Sequence, residues 1–152
     1  MGIGKSSTCK ELNKRVDRSV WLDGDWCWMM NPWIVNEENK KMVEDNIVFL
    51  LKNFLANSNF EYVIFNWVIH REEIFKRILD RLENYKFQLY KITLSCSEKA
   101  LIKRMKDDNR SSEAIEVSLQ RLKAYEIMET IKIDTTNRTI QETVDKIIEI
   151  VD

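Results

Sequence analysis

Short β-prone segments alternate along this chain with longer segments that predict helices. The strand segments are 19–23, 62–67, 87–94 and 130–134. The clearest helix lies in 36–57, where apolar residues recur at steps of three and four, and further helices are predicted at 5–15, 71–84, 97–106 and 113–126, and from Thr139 onward. Because parallel strands need a crossover connection, this alternation indicates a parallel sheet. The sequence therefore predicts an α/β fold, a three-layer sandwich with a mostly parallel sheet.

Two helix starts carry capping residues. Ser97 is followed by the acidic Glu98, which suits the first turn of a helix. Thr139 is followed three residues later by Glu142, the spacing of a capping box. We therefore expect a helix to begin directly after each of these hydroxyl side chains.

The composition narrows the classes of partner. A length of 152 residues predicts a single domain, 1–152. The net charge of −1 gives no reason to expect a nucleic acid or a membrane surface as partner, and no apolar run approaches the ~18 residues of a membrane span. The three cysteines and single histidine, His70, lack the spacing of a zinc site. Free thiols in a reducing cytoplasm are the expectation.

The start of the chain, Gly2-Ile3-Gly4-Lys5-Ser6-Ser7, holds two of its three glycines. Glycines let the backbone approach an anion and aim N–H groups at it, and a helix N-terminus adds further donors. Lys5 is suited to reach the β- and γ-phosphates of a nucleotide, and the Ser6 hydroxyl to bind Mg²⁺. The alternative is an ordinary helix start, but a lysine there opposes the helix dipole and stays unexplained. The segment therefore predicts a phosphate site.

A second cluster, Leu22-Asp23-Gly24-Asp25, ends the first predicted strand. Ligands of open parallel sheets bind beyond the carboxyl ends of the strands, where a carboxylate can face Mg²⁺ and an acceptor hydroxyl. Asp25, lying past a flexible Gly24, is the candidate catalytic base, with Asp23 as second choice and as a candidate metal ligand. An acidic turn without function is the alternative, since Asp-Gly pairs are common in turns.

These two motifs, together with the later Leu101-Ile102-Lys103-Arg104, resemble the small P-loop kinase group, which includes adenylylsulfate, gluconate and shikimate kinases and the chloramphenicol phosphotransferase. The stretch from Ile64 to Arg104, with His70 after an apolar strand, is most similar to the tunicamycin-resistance-like ATP-binding proteins. The likeness spans nearly the whole chain, and the glycine-rich opening is its most specific part.

The resemblance implies a P-loop NTPase fold with sheet order 2-3-1-4-5 and the P-loop strand at the centre. Only Met1 precedes Gly2, so we expect strand 1 to be missing from this chain. Without it, the strands at 62–66 and 87–94 would lack their shared neighbour, and their edges would leave backbone groups unpaired.

The resemblance also implies ATP and Mg²⁺ as cofactors and a mobile lid at about 105–115. Arg104 and Arg110 carry over as contacts to the nucleotide or its γ-phosphate, which suits guanidinium groups. For Arg110 a solvated charged face is the alternative. The loop Thr135-Thr136-Asn137-Arg138 corresponds to the adenine-holding loop of relatives, with Arg138 as a contact.

The region expected to bind the acceptor differs from the usual sequence of P-loop enzymes. Asn66 ends the second strand, where many P-loop enzymes have a second acidic residue, so catalysis is less firmly implied than nucleotide binding. The aromatic stretch from Trp26 to Trp33 predicts a loop or a broken helix. Trp21 is expected in the core, whereas Trp26, Trp28 and Trp33 either cover the core or line an acceptor pocket. His70 is either a pocket contact or an ordinary surface or capping residue.

Three expectations follow. The first is an ATP-dependent phosphotransferase acting on a small hydroxyl-bearing acceptor, such as a nucleoside, a sugar acid or an antibiotic-like compound. The second is an ATP-binding protein that protects against a toxic compound by holding it without turnover, and the third is an inactive truncated form. A homodimer is an option that the sequence leaves open.

Overall fold

The computed structural model describes residues 2–152. The chain forms two compact units. The terminal unit comprises residues up to Glu11 together with Leu89–Asp152, and the middle unit comprises Leu12–Gln88. The single domain expected over 1–152 stays a prediction.

The observed elements alternate as predicted. The helices are α1 (Lys5–Arg15), α2 (Glu37–Leu55), α3 (Glu72–Asp80), α4 (Glu98–Asp107), α5 (Ser112–Glu126) and α6 (Ile140–Val151). The strands are β1 (Ser19–Asp23), β2 (Tyr62–Asn66), β3 (Ile92–Ser95) and β4 (Ile131–Asp134), and a short 3-10 helix spans Gly24–Trp28. The boundary between the two units falls within α1. Within residues 2–152, no helix is both long and apolar enough to cross a membrane.

In the middle unit β1 and β2 pair in parallel, from Ser19 opposite Tyr62 to Asp23 opposite Asn66. Helix α2 packs against both strands, and its inner face is its most buried part: Val43, Ile47, Val48 and Leu51. The sequence of β2 is almost entirely apolar, yet all of the strand except Asn66 is only half-buried. Among the described residues it pairs with β1 alone, so its apolar run does not reflect the interior of a wide sheet.

In the terminal unit β3 and β4 pair in parallel, from Ile92 opposite Ile131 to Ser95 opposite Asp134. One core cluster joins the residue after β3 to helices α4 and α5: Cys96, Leu101, Met105 and Leu122 are buried, with Ile3 packed against them. Ile3 is the residue between the two glycines of the chain's opening. The beginning of the glycine-rich segment therefore packs against this core.

The α/β fold with parallel pairing is confirmed, whereas the full strand order is not. The described residues form two two-stranded parallel sheets, β1–β2 and β3–β4. The expected order 2-3-1-4-5 counts the missing strand as strand 1, so β1 to β4 correspond to strands 2 to 5. The two observed pairs then agree with the neighbours 2-3 and 4-5 of that order. The order across five strands stays a prediction.

The predicted helix caps are confirmed. The Ala100 N–H donates to Ser97 Oγ at 3.3 Å. At α6 the Glu142 N–H donates to Thr139 Oγ1 at 3.2 Å and the Thr139 N–H donates to Glu142 Oε2 at 2.7 Å, so both halves of the capping box are formed. Losing such a cap costs roughly 0.5–2 kcal/mol.

Candidate functional site

The segment before α1 has a backbone that only glycine adopts at low cost. Gly2 has φ of +72° and Gly4 has φ of +90°, in the region that side chains with a Cβ rarely enter. Helix α1 begins at the next residue, Lys5, and the Thr8 N–H donates to Gly4 O at 2.9 Å. A helix that starts directly after the glycine pair was predicted and is confirmed.

The two glycines differ in what surrounds them. A Cβ added at Gly2 would lie 2.5 Å from Met105 Cγ and 3.1 Å from Leu101 Cδ1, so Gly2 allows close packing against α4. A Cβ added at Gly4 would meet only Thr8 Oγ1, at 4.0 Å. Gly4 therefore leaves open space in front of the helix start. An anion approaching the backbone N–H groups there needs such space.

The first turn of α1 has the opposite charge to that of the other helices. Helices α2, α3, α4, α5 and α6 each have a glutamate in the first turn, which complements the positive end of the helix dipole. Helix α1 has no acidic residue there and begins with Lys5, which is half-buried, followed by the exposed Ser6 and Ser7. The helix start thus concentrates positive potential and hydroxyl groups beside Gly4, as a bound phosphate requires.

Two of the predicted nucleotide contacts hold the loop after β4. Arg104 donates from Nη1 to Thr135 Oγ1 at 3.1 Å and from Nη2 to Thr135 O at 2.6 Å. Arg138 donates from Nε to Asp134 O at 2.9 Å. Hydrogen bonds from the Thr136 hydroxyl and N–H lower the pKa of Asp134, and the nearby charges of Arg138 and Arg104 lower it further. Both arginines therefore fix the backbone of the predicted adenine loop, and a direct contact with the nucleotide stays a prediction.

The predicted lid at 105–115 is mostly regular structure. Met105 is fully buried in the core of the terminal unit. Helix α4 continues to Asp107 and α5 starts at Ser112, which leaves the connection 108–111. Arg110 is exposed within that connection, and its N–H donates to Met105 O at 2.9 Å. Movement of a lid here stays a prediction, and the short connection is the segment best suited to it.

In the middle unit the two carboxylates of Asp23-Gly24-Asp25 have different surroundings. Asp23 is 4% exposed at the end of β1, and its Oδ1 accepts from the Asp25 N–H at 3.0 Å. Asp25 is exposed. The expectation of a flexible Gly24 is wrong, because a Cβ there would lie 2.5 Å from Trp67 Cγ. Gly24 is buried in the 3-10 helix, which holds Asp25 at a defined place relative to β1.

Asn66 has a partner that the sequence interpretation missed. Its Oδ1 accepts from Trp21 Nε1 at 2.6 Å, and the residue is 8% exposed. Trp21 lies opposite Ile64 in the ladder, so Asn66 is its diagonal neighbour on the same face of the sheet. Once β1 and β2 are paired in parallel, that period-two spacing is the signal that predicts the contact.

The tryptophans divide into buried and exposed rings. Trp28 is 8% exposed and belongs to the core, whereas Trp26 is 50% and Trp33 62% exposed. Each exposed ring contacts a less exposed one: Trp26 lies 4.8 Å from Trp21 and Trp33 lies 5.4 Å from Trp28, between ring centroids. His70 is half-buried, with its Nδ1 fully covered. The structure thus assigns Trp28 to the core and leaves Trp26 and Trp33 on the surface.

Within residues 2–152 no three His, Cys, Asp or Glu side chains come close enough together to hold a metal ion. Burial raises the pKa of the free thiols of Cys27 and Cys96. Mg²⁺ needs no such cluster, because it is usually held by one or two protein ligands, substrate phosphates and water. Ser6 and Asp23 are residue types that it uses.

Comparisons with known proteins support the fold. The family described as AAA domain matches residues 1–129. No curated protein matches the sequence. Among solved structures, the tunicamycin resistance protein of Deinococcus radiodurans superposes with a TM-score of 0.68 at 17% identity, over 99% of this chain and 90% of that chain. A gluconokinase from Sinorhizobium meliloti 1021 superposes with a TM-score of 0.68 at 16% identity, over 96% and 83%. The predicted P-loop kinase-like fold is thereby confirmed.

Proposed function

The chain belongs to the AAA domain family, and on that premise we propose that it binds ATP with Mg²⁺ at the start of α1 and transfers the γ-phosphate to a small hydroxyl-bearing acceptor. One observation carries the proposal: the open space at Gly4, in front of a helix whose first turn holds Lys5 and no acidic residue. A cytoplasmic location goes with it, because ATP and Mg²⁺ are abundant there.

The residues before and within the first turn of α1 have different roles in the proposed phosphate binding. The positive φ values of Gly2 and Gly4 open the backbone for N–H donors to face the phosphates. Lys5 contacts the β- and γ-phosphates, where its charge offsets the charge that develops during transfer. Ser6 supplies the protein hydroxyl for Mg²⁺, and Ser7 adds a donor beside it.

The acceptor side uses the carboxylates after β1. Asp25 is the better candidate for orienting the acceptor hydroxyl and accepting its proton, because it is exposed on a short helix. Asp23 is buried at the carboxyl end of β1, where its Oδ1 accepts from the Asp25 N–H, and a carboxylate at the end of a parallel strand is the residue type that holds Mg²⁺ or a Mg²⁺-bound water. Arg110, on the connection 108–111, supplies a guanidinium for the transferring phosphate.

The nucleotide part of the proposal is tested by ATP titration calorimetry with Mg²⁺. Lys5→Ala removes the charge that contacts the phosphates, and we expect the affinity for ATP to fall at least tenfold, about 1.4 kcal/mol. Lys10→Ala is the matched control, since Lys10 is an exposed lysine on the same helix. Equal ATP affinity for wild type and Lys5→Ala would contradict the proposed site.

The transfer step is tested by ATP consumption with a panel of hydroxyl compounds. An accepted compound should stimulate ATP consumption, and Asp25→Asn should lower that stimulated rate at least a hundredfold while leaving ATP affinity unchanged. Consumption that no nucleoside, sugar or antibiotic-like alcohol stimulates would argue against phosphotransfer.

A second function, holding a compound without turnover, is favoured by Asn66. An amide replaces the carboxylate that catalysis uses in many P-loop enzymes, and its oxygen is engaged by Trp21 Nε1. In this case an Asp25→Asn variant would protect cells as well as the wild type does. Under the phosphotransferase proposal that variant loses protection.

A further inference from the structure

We propose that the tryptophan segment, defined as residues 21–35, binds the acceptor, and that the acceptor is a ring-bearing alcohol with a positive or zero charge. This inference rests on the proposed phosphotransfer and narrows its substrate class. Of the three acceptor types expected from the sequence, it disfavours the sugar acids.

The tryptophan segment exposes an unusual amount of apolar surface. Five of its large apolar side chains are 46–84% exposed: Trp26, Met29, Trp33, Ile34 and Val35. Single exposed apolar residues are ordinary, but five within ten consecutive positions are a local concentration of exposed apolar surface, which is a mark of binding surfaces. Each Å² of apolar surface left in water costs about 25 cal/mol, so a ligand that covers such rings gains binding free energy.

The exposed rings are held in place by other aromatic rings. Trp26 packs edge-on against Trp21, whose Nε1 is fixed by the hydrogen bond to Asn66. Trp33 packs against the buried Trp28. A tryptophan supported in this way loses little conformational freedom on binding, which favours a preorganised platform for a flat ring. This chain of contacts also gives Asn66 a role, since it anchors the first pair of rings.

The charges of this region favour a cation over an anion. Residues 19–36 contain Asp23 and Asp25 and no lysine, arginine or histidine, and Glu37 and Glu38 follow. The faces of tryptophan rings carry negative electrostatic potential and attract cations. The flanking basic residues are engaged: Arg18 pairs with Glu61 and with the backbone at Ser58 and Asn59, and Lys40 pairs with Glu37 at 2.8 Å. Residues 19–36 therefore offer no positively charged side chain to an anionic acceptor.

The test uses three small aromatic probes of similar size: benzyltrimethylammonium, benzyl alcohol and phenylacetate. Binding to the full chain is followed at constant ionic strength by ligand-observed NMR, and in the wild type also by fluorescence, because all five tryptophans lie in the middle unit. We expect the cation to bind at least tenfold more tightly than phenylacetate, with benzyl alcohol between them. A preference for phenylacetate, or no binding of any probe, would overturn the inference.

Variants locate the site. Trp26→Ala and Trp33→Ala should each weaken binding of the cation at least fivefold, and Asp25→Asn should weaken binding of the cation more than binding of benzyl alcohol. Phe49→Ala is the matched control, since Phe49 is a 66% exposed aromatic residue of the same unit outside the segment. Equal loss in Phe49→Ala, or Trp variants that abolish a dimer and leave probe binding intact, would refute the assignment.

Failure of this inference is separable from failure of the proposed function. Lys5→Ala should bind benzyltrimethylammonium as the wild type does, because the lysine acts on ATP. If ATP binds but the two Trp substitutions leave the affinity for the probes unchanged, this inference is refuted and the proposed nucleotide binding is still supported. If the probes bind in the expected order and ATP does not bind, the proposed phosphotransfer is refuted. The proposed preference of the tryptophan segment for cations is then still supported.

Discussion

Gly2→Ala is the substitution for which the structure predicts the largest effect in the glycine-rich opening. The new Cβ would lie 2.5 Å from Met105 Cγ, and Met105 is fully buried, so its side chain has no solvent to move into. Overpacking of this kind costs roughly 1–3 kcal/mol. The φ of +72° adds about 1–2 kcal/mol for any residue with a Cβ. We therefore expect the free energy of unfolding to fall by roughly 2–5 kcal/mol.

Gly4→Ala is the matched control, because it carries the same backbone strain without the clash. Its φ is +90°, yet its added Cβ would meet nothing closer than Thr8 Oγ1 at 4.0 Å. We expect a loss of about 1–2 kcal/mol in stability. ATP affinity should fall as well, since the methyl group fills the space proposed for the phosphate. Urea unfolding followed by circular dichroism measures the stabilities.

A double-mutant cycle with Met105→Ala tests the clash directly. Met105→Ala alone should cost roughly 2–5 kcal/mol, because it removes a fully buried side chain. In the double variant the shortened side chain makes room for the methyl group, so the combined loss should be smaller than the sum of the single losses by at least about 1 kcal/mol. Additive losses, or equal losses for Gly2→Ala and Gly4→Ala, would refute the packing that this structure gives to Gly2.

Two further predictions concern the end of β4 and the helix that follows. Arg104→Ala removes both guanidinium hydrogen bonds to the buried Thr135, whose carbonyl oxygen keeps only the longer bond from the Arg138 N–H at 3.3 Å, and this loss should cost about 1–3 kcal/mol in urea unfolding. Little loss of stability in Arg104→Lys would show that the charge alone matters. Hydrogen bonds lower the pKa values of Asp134 and Glu142 from ordinary values of 3.8 and 4.5. Their stabilising effect is therefore complete above those values and is lost as the pH falls through the folded pKa values. An acid titration of Thr139→Ala should show a smaller loss of stability over that range than the wild type, and identical titrations would contradict the coupling.

The sequence predicts best where a local signal marks an end. Helix α1 and strand β1 have their predicted bounds, because Gly4 precedes one and Gly24 follows the other. Strand β3 was predicted to begin at Phe87 but begins at Ile92. The apolar pattern of this segment starts before Ile92, but the length of β3 is set by its pairing with β4. The first residue pair of that ladder is Ile92 opposite Ile131. A partner that lies ~40 residues away in sequence leaves no local trace.

The candidate site shows the same division between local and long-range information. The proposed role of Gly2, Gly4 and Lys5 in phosphate binding rests on local chemistry, and both glycines have the positive φ values that this role needs. The packing of Gly24 against Trp67 and the bond from Trp21 to Asn66 depend on which strands are neighbours. Sequence reasoning therefore took Gly24 as flexible and Asn66 as a lost carboxylate, although the structure gives both a packing role.

Met105 mechanically links two parts of the terminal unit that are far apart along the chain. Its side chain supports Gly2, and its carbonyl oxygen accepts from the N–H of Arg110. Any rearrangement that pulls Arg110 toward a ligand strains the last turn of α4, and the thioether beneath Gly2 must readjust with it. An unbranched, pliable methionine can absorb that displacement, where a stiff β-branched residue would transmit it to the opening turn.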